Sequence, residues 1–139
     1  MDNRFRLVII TPEKVFFDDM AESVSVESPD GRLEVLKGHI PSVISIISGS
    51  IRIKQNGEWK EASCSDGFME VRPEKTIILL ETVEWPEQID LVRAKRDAEI
   101  AMERMRQQQS MREYRESKAT LARAMARLRV GSRNRVNID

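Results

Sequence analysis

Between Phe5 and Leu80 apolar residues recur at every second position in short runs, and after Pro86 they recur every third and fourth. The first period belongs to half-buried strands and the second to helices laid against a core. Phe5, Leu7 and Ile9 alternate with Arg6 and Val8, and residues 14–17 form a short second run. Residues 23–26 alternate and stop at the turn Ser28-Pro29-Asp30-Gly31. Residues 32–36 and 43–47 follow, separated by Lys37-Gly38-His39-Ile40-Pro41. Residues 50–54 alternate into Asn56-Gly57, the two-residue signature of a tight hairpin. Runs at 59–64, 68–71 and 77–80 complete the series, turned by Asp66-Gly67 and Arg72-Pro73-Glu74. Short strands this regularly spaced predict an all-β sandwich or flattened barrel over residues 1–85.

Pro86 suits the first turn of a helix, and Glu87 places negative charge at its positive end. Leu91, Ala94, Ala98, Ala101 and Met105 then form one helical stripe. The polar run Gln107-Gln108-Gln109 separates it from Ser110-Met111-Arg112-Glu113, a capping-box pattern that opens a second helix. Tyr114, Lys118, Leu121, Met125 and Leu128 repeat the spacing, and Gly131 is the expected stop. An alanine-rich stripe facing a bulkier one predicts a close antiparallel helical hairpin over 86–130, with 131–139 a flexible tail. Alanine contacts bury little area, so this hairpin is expected to be marginal alone.

Composition fits an ordered water-facing protein: 40% hydrophobic and 33% charged residues in a chain of 139. The apolar run at 43–47 is far too short for a bilayer, and the first residues lack a signal-peptide core. The single cysteine, Cys64, excludes an internal disulfide and a multi-cysteine metal site. The net charge of zero conceals an asymmetry. Residues 1–88 hold 10 Lys/Arg against 16 Asp/Glu, and residues 89–139 hold 13 against 7. The basic helical half is expected to meet something acidic: a nucleic acid, a membrane, a nucleotide or an acidic protein loop.

No glycine-rich phosphate loop is present, and His39 has no partners at ligand spacing, so neither a nucleotide fold nor a zinc site is expected. Cys64 reads as a small structural residue. Two rivals remain on the residues alone. One is a nucleic-acid-binding module using the basic hairpin, weakened because Tyr114 is the only aromatic there. The other is a small hydrolase using Asp18-Asp19 and Glu34, carboxylates equally at home in solvated turns.

The stretch Gly31-Arg32-Leu33-Glu34-Val35-Leu36-Lys37-Gly38-His39-Ile40-Pro41 resembles the signature of F-type ATP synthase epsilon subunits. The likeness continues through Ser48-Gly49-Ser50-Ile51-Arg52-Ile53 and Asp66-Gly67-Phe68-Met69-Glu70-Val71, and ends at 122–130. It implies a ten-stranded sandwich followed by two helices, in a non-catalytic central-stalk subunit of a proton- or sodium-translocating enzyme. The implied partners are the gamma subunit, the c-subunit ring, and the alpha and beta subunits, on the cytoplasmic face of a bacterial plasma membrane, with neither nucleic acid nor direct membrane insertion. Arg32, Gly38 and His39 would touch the c-ring, although a hydrogen-bonded turn explains Gly38-His39 equally well.

Ile89-Asp90-Leu91-Val92-Arg93-Ala94 is similar to the family's ATP-binding motif. The resemblance makes Glu84, Ile89, Asp90, Arg93, Ala94, Arg123 and Arg127 a regulatory ATP site, with no cofactor required. Ile100 stands where other members carry a basic residue. Arginines four apart share a helix face and suit phosphate, and solvated surface charges would show the same spacing. In an extended form, Arg112, Arg115, Lys118, Arg123 and Arg127 would meet an acidic loop of the beta subunit and brake ATP hydrolysis.

Overall fold

The computed structural model describes residues 2–107 and 110–136. Gln108 and Gln109 of the polar run and residues 137–139 of the expected tail lie outside the described residues. The strands are β1 (Phe5–Ile10), β2 (Val15–Ala21), β3 (Ser23–Ser28), β4 (Gly31–Leu36), β5 (Ser42–Ile46), β6 (Gly49–Gln55), β7 (Glu58–Cys64), β8 (Gly67–Val71), β9 (Thr76–Leu80) and β10 (Val83–Glu84). They form two five-stranded sheets: β2-β1-β9-β8-β5, called sheet A, and β10-β7-β6-β3-β4, called sheet B. β1 and β9 run parallel, and the other pairs are antiparallel.

Alternation decides which side chains meet between the sheets. Leu7, Ile9, Val24, Val26, Ile51, Ile53, Met69 and Ile78 are fully buried there. Each such side chain stabilises the fold by about 1.5–3 kcal/mol relative to exposure. Asn56 and Gly57 both have positive φ, 52° and 77°, as a two-residue turn between right-twisted strands requires. The predicted sandwich is observed.

The helical half departs from expectation at both ends. Pro86 opens a single 3-10 turn, Pro86–Gln88, instead of the long helix. The long helix α1 (Leu91–Gln107) starts later because Asp90 Oδ1 accepts the N–H of Arg93 at 3.0 Å. Ser110 Oγ likewise accepts the N–H of Glu113 at 3.1 Å and opens α2 (Met111–Val136). α2 runs straight through Gly131, the expected stop, so residues 131–136 are helix and not tail. A Cβ on Gly131 would lie 2.6 Å from Leu91 Cδ2, so this glycine serves close helix approach rather than termination.

The stripe on α2 is also corrected. Ser117, Ala124 and Gly131 are buried, seven residues apart, and Tyr114, Leu121 and Leu128, each three residues before one of them, are half-buried. Lys118 and Met125, placed on the stripe by taking the step of four before the step of three from Tyr114, are exposed. The seam is therefore small-residue on both helices: Ala94, Ala98 and Ala101 on α1 against Ser117, Ala124 and Gly131. A second buried flank of α2, Ala126 and Val130, accompanies its contact with β6 and β7 of sheet B. Among the described residues no helix is long and apolar enough to cross a membrane.

Candidate functional site

Where β10 meets the hairpin, a cleft of about 360 Å³ is lined by Thr82, Val83, Glu84, Asp97, Thr120, Arg123, Ala124 and Arg127. Arg123 and Arg127 lie one turn apart on α2 and so face the same side. Arg123 Nη2 donates to Thr120 Oγ1 at 3.2 Å. Arg127 Nε donates to Glu84 Oε1, and its Nη1 lies 3.7 Å from Asp97 Oδ2. Two guanidinium groups and a hydroxyl suit an oxyanion. In this arrangement, however, Glu84 and Asp97 already occupy Arg127. An entering phosphate would have to displace at least one carboxylate.

Of the residues expected to bind ATP, Glu84, Arg123 and Arg127 are brought together. Asp90 caps α1, and Arg93 is exposed outside the cleft lining. Ile89 and Ala94 are buried at the helix base and in the seam, out of a ligand's reach in this packing. Sequence reasoning missed Asp97 and Thr120. Asp97 reads as one more solvated carboxylate four residues after Arg93, and nothing local reveals that it closes on α2. Ile100 lines a neighbouring groove of about 570 Å³ with Arg104, Glu113 and Glu116.

The expected ring-contact residues do not form one surface. Arg32 and Gly38 flank opposite ends of β4, six residues long, about 20 Å at roughly 3.3 Å per residue. Arg32 does not project from a tip. Its guanidinium folds over sheet B and donates to Ser25 Oγ (2.9 Å), Glu27 Oε1 (3.0 Å) and Ser50 Oγ (2.6 Å). Gly38 has φ +85°. His39 Nδ1 lies 2.8 Å from the Ile40 carbonyl oxygen, a bond that needs the proton on Nδ1. Of the residues assigned to the brake, Arg115, Lys118 and Arg123 are exposed on α2, and Arg112 pairs with Glu116 at 3.1 Å. Arg127 is held in the cleft.

A third missed residue is Glu61 on β7. Its carboxylate accepts from Arg52 Nε (3.1 Å), Arg133 Nη2 (2.9 Å) and Asn134 Nδ2 (3.3 Å), tying the end of α2 to sheet B. The carboxylates of the hydrolase rival are dispersed. Asp18 pairs with Arg6 on sheet A, which holds its carboxyl below the usual range, while Glu34 accepts the Ser23 hydroxyl on sheet B. Cys64 is buried in the core, and burial pushes its thiol up to about 12, which removes it as a nucleophile.

Comparison with known proteins agrees along the whole fold. Residues 4–86 match the family described as ATP synthase, Delta/Epsilon chain, beta-sandwich domain. Residues 87–131 match that family's long alpha-helix domain. The ATP synthase epsilon chain of Caldanaerobacter subterraneus is 42% identical over 134 residues, covering 96% of this chain and 97% of that one. That of Ruminiclostridium cellulolyticum is 44% identical over 131 residues, covering 94% and 98%. Among solved structures, a chain of the Euglena gracilis mitochondrial ATP synthase superposes with TM-score 0.79 at 16% identity, covering 91% of this chain and 80% of its own. The central stalk and c-ring of the Tetrahymena thermophila enzyme includes another, with TM-score 0.67 at 12% identity, covering 94% and 95%. At such identities the two structures show the shared fold, whereas the family matches and the curated relatives establish descent: the chain belongs to the ATP synthase delta/epsilon family, as an epsilon chain, a non-catalytic subunit of that complex.

Proposed function

We propose that this subunit joins the gamma subunit to the c-subunit ring within the rotor of an F-type ATP synthase, and that its hairpin restrains ATP hydrolysis. The observation that carries the reading is the distribution of covered and uncovered faces. The hairpin lies on sheet B. The outer face of sheet A carries Val15, Ile10, Leu79 and Phe68 in one transverse register, and Val15, Leu79 and Phe68 are each more than 40% exposed. An apolar row across four strands supports a lasting protein neighbour, here gamma. For the ring we favour the sandwich end that holds Arg32, which is closed by compact turns bonded to one another, as in Ile47 N–H to Glu27 O and Ser48 to Asp66. A cysteine at 32 should cross-link to a c subunit and one at 39 should not; the reverse pattern would invert this orientation. The chain would then work peripherally, on the cytoplasmic face of a bacterial plasma membrane.

For the brake, Arg112, Arg115 and Lys118 offer exposed positive charge to an acidic loop of beta, next to alpha, once the hairpin extends. Removing residues after Pro86 should raise hydrolysis by the assembled enzyme, and unchanged hydrolysis would sink the brake. A regulatory ATP site has support from one observation, the convergence of Arg123, Arg127 and Thr120 in one cleft. ATP bound there would hold the hairpin folded by linkage. Calorimetric titration of the isolated chain should show saturable ATP binding that Arg127→Ala weakens. No binding at millimolar ATP would make the brake independent of nucleotide.

A further inference from the structure

A second cleft, about 700 Å³, lies where β2, β6, β7, the 3-10 turn and the end of α2 meet. Its lining differs in kind from the arginine cleft. Phe16, Phe17, Trp59 and Trp85 border it together with the carboxylates of Asp18, Asp19, Glu61 and Glu87, against two cations, Arg52 and Lys60. Phe16 and Trp85 stack with centroids 4.6 Å apart, which stiffens one wall. Trp59 is 48% exposed, and the Lys54 ammonium, 5.9 Å from its ring centroid, shows that the ring already draws a cation.

The charges in this lining are not balanced internally. Arg52 is held by Glu61, and Asp18 by Arg6. Lys60 leans on the Gln55 side-chain oxygen at 3.3 Å. Asp19 and Glu87 have no ion-pair partner among the described residues, although Asp19 accepts the Met20 N–H at 2.7 Å and the Gln55 amide at 3.2 Å. Exposed indole beside carboxylates that lack a cation is complementary to a flat, weakly hydrated cation that stacks and donates at once. Guanidinium has that shape and lysine's ammonium does not. At the rim Arg133 already donates to Glu61 twice, at 2.9 and 3.0 Å. The same surface therefore seats one arginine in the folded chain.

We infer that this cleft is a docking site for an arginine-bearing segment of another protein chain, its guanidinium laid on Trp59 and its N–H groups shared by Asp19 and Glu87. The arginine cleft beside β10 shares none of these lining residues and selects the opposite charge.

The test titrates the full chain with an N-acetylated, C-amidated tetra-arginine peptide at physiological salt, following tryptophan emission and heat. Tetra-lysine and tetra-glutamate peptides serve as controls. The expected result is saturable binding of tetra-arginine with a change in emission, weaker for tetra-lysine and absent for tetra-glutamate. Trp59→Ala and Asp19→Asn/Glu87→Gln should each weaken it about tenfold, whereas Glu99→Gln on exposed α1 should not. Circular dichroism of each variant separates lost binding from lost fold. Equal binding by every variant, or none at millimolar peptide, would overturn the proposal. Binding that emerges only after residues 135–139 are removed would overturn it too, by making this chain's own end the occupant.

Discussion

At the scale of single residues, burial and backbone approach set the chemistry. Cys64 lies in the core, with its thiol pushed up to about 12 by desolvation. A raised thiol pKa means that the folded state holds its proton more tightly than the unfolded chain. Its contribution to stability is present below the unfolded pKa, near 9.0, and is lost as pH rises toward 12. Native protein should accordingly react with a thiol reagent at pH 8 at least tenfold more slowly than protein unfolded in urea. Fast native labelling would contradict the burial. Gly67 shows close approach: a Cβ there would lie 2.0 Å from the Leu79 carbonyl oxygen across the β8–β9 pair. Gly67→Ala should destabilise the sandwich by about 1–3 kcal/mol, read as a lower urea midpoint with unchanged slope.

At the scale of elements, the strands were legible because alternation and turn residues are local. Asn56-Gly57 can adopt its turn whatever surrounds it, and both residues are where that turn needs them. The helices were legible in existence, in the α2 cap Ser110 and in the alanine stripe of α1, but not in the α1 cap Asp90 or in the α2 side of the seam. Stepping four then three from Tyr114 placed Lys118 and Met125 inward, whereas packing steps three then four and selects the small residues Ser117, Ala124 and Gly131. A glycine at 131 looked like a terminator because a helix end is its commonest role. Only Leu91 and Ile89 packed against it reveal another. Ala124→Leu should overpack this seam and cost about 1–3 kcal/mol. Hydrogen exchange should then accelerate in both helices while protection in the sandwich strands stays unchanged. Equal loss in both halves would mean that the hairpin is not a separate cooperative unit.

For the whole molecule, the hairpin covers one sheet and leaves the other open, and this asymmetry organises both proposed interfaces. Phe68, 55% exposed at one end of sheet A's outer row, contributes little to the core. Phe68→Glu should therefore leave thermal stability within a few degrees of the parent chain. It should also weaken association with a gamma-containing assembly by about 2 kcal/mol, roughly thirtyfold, measurable by co-purification and titration. Undiminished association would move the interface elsewhere. On sheet B, Glu61 joins Arg52, Arg133 and Asn134, and Glu84 joins Arg127, so the docked state rests on carboxylates of the sandwich meeting cations of α2. The charge asymmetry between the halves is partly spent inside the molecule.

The sequence by itself determined the two-part architecture, the strand positions, the main turns and the start of α2. Each depends on dihedral preference, capping or burial periodicity within a few residues. Its ordered motifs also determined the family. The tertiary structure alone decided that α2 continues past Gly131 and that the hairpin lies on sheet B. It alone decided that Arg32 folds across its own sheet, and that Glu84 meets Arg127 and Glu61 meets Arg133, pairs 43 and 72 residues apart. A charged side chain gives no local sign of its partner. Such pairings follow from which faces must be buried together, and that is settled by the packing of the whole chain.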